Sequence, residues 1–286
     1  MVDLPYTPPV FTGPGSQPAD HDGGELAYMA MPEGMRVFSA AHVPEADSAR
    51  ATPHGLAAAR AILASLRAGL PAVGQPGGQA VIDLSALDSA NLAFVDQLLG
   101  EGEVSVVAGA EGQAQEAVLA GVWRIRLTDP DGRRRADLVE VGAFPQTLLA
   151  GAFAGAAPRV APPARVRDHV FNAPPLLAEI NAALEGQLPL PHTINLSLLP
   201  HTEDDLGFLD DALGRGQLIV LSRGYGNCRI QATATHQCWW VRYFNSQDTL
   251  ILNSLEISPI PAVALAAPED LEDSAERLAE ILEIYA

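Results

Sequence analysis

Val220–Ser258 reads VLSRGYGNCRIQATATHQCWWVRYFNSQDTLILNSLEIS, and the fold turns on this stretch. Apolar runs broken by turn residues predict strands at 218–222, 228–234, 238–244 and 249–257. Among them sits an unusual cluster: Arg223-Gly224-Tyr225-Gly226-Asn227-Cys228-Arg229, then Trp239-Trp240, then Asn245-Ser246-Gln247-Asp248. The stretch also has a fainter copy upstream. Ile82-Asp83-Leu84-Ser85 reads like Ile194-Asn195-Leu196-Ser197. Leu92, Phe94, Asp96, Leu99, Gly100 and Gly102 recur as Leu206, Phe208, Asp210, Leu213, Gly214 and Gly216. Trp123-Arg124-Ile125-Arg126 recurs as Trp239-Trp240-Val241-Arg242, and Glu140 and Pro145 as Glu256 and Pro261. The offset drifts only from 112 to 116. Self-similarity over such a span predicts a duplicated unit. The glycine-tyrosine cluster has no counterpart in the first copy, where Gly109–Gln113 stands instead.

Working outward, residues 1–53 form a Pro/Gly-rich tail without sustained periodicity. Its one island, Tyr28–Phe38, holds every methionine except Met1 and reads as an adaptable apolar strap. The first unit spans 54–157, a proline-bearing linker 158–173, and the second unit 174–286. In the first unit, helices are predicted at 54–70 and 88–99, strands at 80–84 and 104–108, and a hairpin around Asp129-Pro130-Asp131-Gly132. The second unit repeats that order, with a helix at 174–186, a strand at 193–198 and a helix at 202–213 capped by Thr202. Pro268–Tyr285 closes the chain as a helix with an apolar stripe (Leu271, Ala275, Leu278, Ile281, Leu282) and an acidic remainder. The fold class is therefore α+β: two duplicated units, pseudo-twofold related, each a mainly antiparallel β-sheet with packed helices.

The chain has 286 residues and a formal net charge of −18. That sign excludes a nucleic-acid binder, which needs a basic footprint. No apolar run reaches the length of a membrane span, so an integral membrane protein is not expected. The start, MVDLPYTPPV, lacks the basic and apolar regions of a secretory signal, and two cysteines suit a reducing compartment, so the expected location is cytoplasmic.

Catalytic and metal chemistry find little support. Cys228 and Cys238 lack the third and fourth ligands that a zinc or iron–sulfur site needs, and they read first as buried thiols. A cysteine–histidine pair from Cys228 and His236 rests on an unknown distance. Gly224-x-Gly226 is too short for a phosphate loop and reads as a tight turn. What remains is a surface. Trp, Tyr and Arg are the residue types enriched at binding hot spots. A partner-binding surface is expected from Arg223, Tyr225, Asn227, Arg229, Trp240, Asn245, Gln247 and Asp248. Alternation puts Trp239 and Trp240 on opposite sheet faces, and an antiparallel sheet commonly buries only one.

LSRGYGNCRI, WWVRYFNSQDTLILNSLEI and PEDLEDSAERLAEIL closely resemble the C-terminal region of the hydrogenase expression/formation family called HupH, HyaF or HoxQ. MPEGMRVF is similar to that family's N-terminal segment. The resemblance implies a non-catalytic cytoplasmic chaperone in [NiFe] hydrogenase maturation, without a cofactor. Its implied client is the hydrogenase small-subunit precursor, held before its iron–sulfur clusters are fully loaded, the large subunit docks and export follows. A thioredoxin-like co-chaperone is the further implied partner. The alternative reading is an iron–sulfur or metal delivery protein using Cys228 and Cys238.

Overall fold

Ala59, Leu63 and Leu66 recur at helical spacing and are buried along one side of the first helix. That local logic holds throughout the computed structural model, which describes residues 56–74, 80–161, 166, 168–223 and 227–285. The elements of the first half are α1 (Ala57–Gly69), β1 (Ala80–Asp83), α2 (Ser89–Leu99), β2 (Val104–Ala108), β3 (Gly112–Glu116), β4 (Val122–Thr128), β5 (Arg134–Val141) and the single turn α3 (Gln146–Leu149). The second half carries α4 (Ala173–Leu184), β6 (His192–Asn195), α5 (Glu203–Leu213), β7 (Leu218–Ser222), β8 (Asn227–Ala232), β9 (Cys238–Phe244), β10 (Leu250–Ile257) and α6 (Pro268–Ile284). Asp88 caps α2 by accepting from Asn91 N, and Thr202 with Asp205 forms a capping box at the start of α5. Gly100 and Gly214 end α2 and α5 with φ of 55° and 63°, a backbone region other residues adopt only at a cost.

The strands form one antiparallel sheet in the order β1-β5-β4-β3-β2-β7-β8-β9-β10-β6. Each half was expected to keep its own sheet. Instead β2 pairs with β7, from Val104 opposite Ser222 to Ala108 opposite Leu218, and the two sets of five strands become continuous. Two short stretches were not read from sequence. β3, GQAQE, lacks the β-branched and aromatic residues that mark a strand, and α3 is a single turn.

The two sheet faces are covered differently. On one face a single core crosses the seam. It holds Val106, Trp123, Ile125, Phe144 and Leu148 from the first half and Val220, Ile230, Trp239 and Val241 from the second. On the other face there are two separate cores, one at each end. Helices α1, α2 and α6 pack over Val122, Val139 and Val141. Helices α4 and α5 pack over Ile194, Cys238, Trp240, Leu255 and Ile257. The stripe of α6 is buried as its period predicts, but against α1 and α2 of the first half: Leu271, Leu278 and Tyr285 join that core, and Phe94 meets Tyr285 edge-on at 5.0 Å.

Candidate functional site

Between the two helical layers, the second face of the central strands β3, β2, β7 and β8 carries no helix among the described residues. The pairing register sets its composition. Gln113 and Gln115 come from β3, Ser105 and Val107 from β2, Ile219 and Leu221 from β7, and Arg229 and Gln231 from β8. Arg126 on β4 and Arg242 on β9 flank this strip, since Arg126 pairs with Gln113 and Arg242 with Arg229. Gln113 and Arg229 are exposed, and Val107 is 40% exposed although it sits mid-strand. With strands about 4.8 Å apart, four uncovered strands leave a trough wide enough for one α-helix of about 10–12 Å diameter.

The trough is cationic. Arg229 stands directly across from Arg242, a like-charge pair that costs stability within the sheet. Arg229 has no ion-pair partner among the described residues. Burial lowers the Arg242 pKa from its usual value, the Asp210 carboxylate opposes this, and Arg229 and Arg215 add to the lowering. The Arg242 guanidinium lies over the Trp240 ring, 4.7 Å from its centroid. Nε of Arg126 is buried without a hydrogen-bond partner among the described residues. Asp137, opposite Arg126, is engaged by Arg124 and by Arg134. The chain contains no lysine at all, so every side-chain ammonium or guanidinium charge is an arginine fork suited to carboxylates.

The expected site residues divide among several places. Arg229 lies in the trough and Asn227 is exposed at the start of β8. Arg223 is exposed at the end of β7, where its backbone N donates to Glu103 O. Asn245, Gln247 and Asp248 make the β9–β10 turn at the same end of the sheet. There Asn245 Oδ1 accepts from Gln247 N and Thr249 N, both at 2.9 Å, and Asp248 adopts φ of 59°. Tyr225 lies outside the described residues, as do the tail and its methionine island. Trp240 requires a correction: it is only 6% exposed, because α4 and α5 cover its face, and its Nε1 donates to Asn253 Oδ1 at 2.5 Å. It cannot present an exposed anchor, and it acts instead as the plate under Arg242. Trp239 is fully buried on the opposite face, so both sides of β9 are covered. Arg126 and Arg242 were missed as site residues, although each is the arginine that closes a quoted Trp–Arg repeat.

Cys228 and Cys238 do sit on adjacent strands, but they belong to cores on opposite faces of the sheet. Cys228 is level with Tyr243, five residues along β9 from Cys238, a separation of about 17 Å. They cannot share one metal ion, and the alternative reading loses its ligand pair. Burial pushes the Cys228 thiol up to about 11, against a hydrogen bond from Tyr243, and the Cys238 thiol up to about 12, against one from Thr233. Neither is a thiolate at neutral pH. His236 follows the far end of β8 from Cys228 and packs against Phe153, so the imagined cysteine–histidine pair does not form.

The fold and this face define an α+β protein whose most distinctive surface is an open, arginine-bearing sheet trough. The chain belongs to the HupH hydrogenase expression protein family: the family's C-terminal conserved region matches residues 56–157 and 170–285. It is 47% identical over 279 residues to the hydrogenase expression/formation protein HoxQ of Cupriavidus necator, covering 96% of both chains. It is 45% identical to HupH of Rhodobacter capsulatus, covering 99% of each, and 33% identical to the hydrogenase-1 operon protein HyaF of Escherichia coli, covering 96% and 95%. A solved structure of the hydrogenase expression protein HupH from Thiobacillus denitrificans aligns over 38% of this chain and 92% of its own, with 30% identity and a TM-score of 0.36. No helix among the described residues is long and apolar enough to cross a membrane.

Proposed function

We propose that this protein is a non-catalytic chaperone of [NiFe] hydrogenase maturation that holds the small-subunit precursor on the open face of its sheet. Family membership supports the hydrogenase context. The observation that carries the binding role is the uncovered trough, where Arg126, Arg229 and Arg242 flank half-exposed Ile219 and Leu221. Mixed apolar and arginine surface of this kind recognises a folded or helical segment bearing carboxylates. The precursor is held in the cytoplasm until its clusters are loaded, the large subunit docks and export begins, with a thioredoxin-like protein as co-chaperone. Arg223, Tyr225, Asn227 and the Asn245–Asp248 turn extend the contact at one end. Affinity purification of the full chain from its native host tests the reading. Recovery of the small-subunit precursor is expected, and a preparation that carries the large subunit alone would contradict it.

We also infer that the two halves are copies related by a pseudo-twofold axis between β2 and β7. Paired details support this. Trp123 Nε1 donates to Gly142 O at 2.8 Å, and Trp239 Nε1 to Ser258 O at 3.0 Å. Ala59 N donates to Asn91 Oδ1 and Ala173 N to Asp205 Oδ1, both at 3.0 Å. Asp129 Oδ1 closes the β4–β5 turn on Arg133 N as Asn245 Oδ1 closes the β9–β10 turn on Thr249 N. On this reading binding chemistry concentrates in the second copy, which alone carries the Arg223–Arg229 segment.

A further inference from the structure

Arg126 and Arg242 close the two quoted Trp–Arg repeats, and the sheet gives them matching places with different neighbours. Arg126 on β4 pairs with Gln113 on one side and Asp137 on the other. Arg242 on β9 pairs with Arg229 on one side and Asn253 on the other. At this point the second half carries one more positive charge and one fewer negative charge than the first. Asp137 engages Arg124 and Arg134, whereas Asn253 Oδ1 accepts from Trp240 Nε1 and offers no charge. Arg124 is tied to Asp96 at 2.9 Å. Trp240 stands in its place in the second repeat, and its ring lies under Arg242. Asp210, whose charge acts on Arg242, is itself bonded to Arg215 at 2.9 Å. Neither Arg229 nor Arg242 has an ion-pair partner among the described residues.

Directly opposed residues on neighbouring antiparallel strands bring their Cβ atoms within about 4.5–5.5 Å, and like charges so placed destabilise a sheet. An anion seated between the two guanidinium groups turns that repulsion into attraction. A carboxylate fits, because it has one oxygen for each arginine fork. Arg229 is exposed and Arg242 half-buried, so both are within reach of a ligand on this face. The Trp240 ring, 4.7 Å from the Arg242 guanidinium, holds that fork in place. Leu221, half-exposed and directly across from Arg229, gives apolar ground to the stem that carries an acid, which a free hydrated anion does not use. We propose that Arg229 and Arg242 form a clamp for a single carboxylate, the Glu or Asp side chain of a bound polypeptide. The clamp deepens the client reading, on which it rests for the identity of that polypeptide, by naming the group that anchors in the trough.

The test titrates the full chain with acetyl-Ala-Leu-Glu-Leu-Ala amide, with the same peptide carrying Gln for Glu, and with acetate. The Nε–Hε resonances of Arg229 and Arg242 report the clamp. The Glu peptide should move both along one saturation curve, while the Gln peptide moves neither. Acetate should bind about tenfold more weakly or less, and acetate binding as tightly as the Glu peptide overturns the polypeptide source. Two variants bring in what the first half has: Arg229→Gln matches Gln113, and Asn253→Asp matches Asp137. Each should weaken the Glu peptide about tenfold or more. Each also offsets the like-charge pair, so the melting temperature should hold or rise. The proposal is overturned if the Glu and Gln peptides bind alike, or if folded Arg229→Gln binds the Glu peptide as wild type does. It is equally overturned if neither arginine resonance moves at about 20 mM, beyond the millimolar range of a weak site. Failure of the client reading looks different: a chain that binds the Glu peptide through both arginines yet never captures the small-subunit precursor keeps the clamp and loses that client.

Discussion

Asp205 is fully buried and accepts hydrogen bonds from the backbone N–H groups of Phe171, Asn172, Ala173 and Thr202 at 2.8–3.0 Å. Burial alone would raise its pKa, but these four donors outweigh it and hold the carboxyl well below the usual range. Its folded pKa is depressed, so its contribution is present above the unfolded value near 4 and is lost as pH falls below that. Asp205→Ala should cost about 3 kcal/mol at neutral pH and flatten the acid limb, checked by denaturant unfolding from pH 2 to 7. Glu116 acts with the opposite sign. Its folded pKa of about 7 exceeds the unfolded value, so folding gains stability as pH drops from about 7 toward 4.5. Glu116→Gln should remove that slope and raise stability at pH 8 by up to ~3 kcal/mol. An unchanged slope between pH 5 and 8 would contradict the assignment. The place of Asp205 in the first turn of a Thr202-capped helix is legible in sequence, but the distant N–H groups of Phe171, Asn172 and Ala173 that it accepts from are not. Glu116 was not legible, because its strand GQAQE has no periodic apolar signal and its environment is assembled from distant segments.

Elements were easier to read than their partners. The apolar stripe of α6 predicts a buried side, and Leu278 is fully buried. Periodicity says nothing about which body receives that side, and the helix crosses to the first half, with Arg60 Nη1 donating to Tyr285 O at 2.5 Å. Leu278→Ala should therefore cost about 2–5 kcal/mol, and hydrogen exchange should show the loss concentrated in α1 and α2 rather than in α4 and α5. The Trp239–Trp240 alternation likewise fixes opposite faces but not their cover. Both are buried because α4 and α5 lie over one face while Phe153 and its neighbours close the other, with Phe153 4.9 Å from Trp239. If β4 and β9 are copies, Trp123→Ala and Trp239→Ala should cost alike, about 3–5 kcal/mol each. Melting curves in which only one of them matters would argue against equivalent positions.

At the scale of the molecule, the described residues set ten strands in one sheet, five from each half. Pairing β2 with β7 sets the uncovered strands of both halves side by side, and the trough exists only because of that pairing. The sequence similarity between the halves predicts two like units, but such a pattern carries no record of which edges meet, so this face was not visible in sequence. Against a net charge of −18, the arginines here form a local reversal of sign, and binding of a carboxylate-bearing client should weaken as salt rises. The most direct measurement is the affinity of the hydrogenase small-subunit precursor for wild type and for Arg229→Glu, with the melting temperature of both proteins. Arg229 is exposed, so the melting temperature should hold while binding weakens about 30-fold or more, the ~2 kcal/mol of a hot spot. A folded Arg229→Glu protein that binds the precursor as tightly as wild type would contradict the trough as the client site.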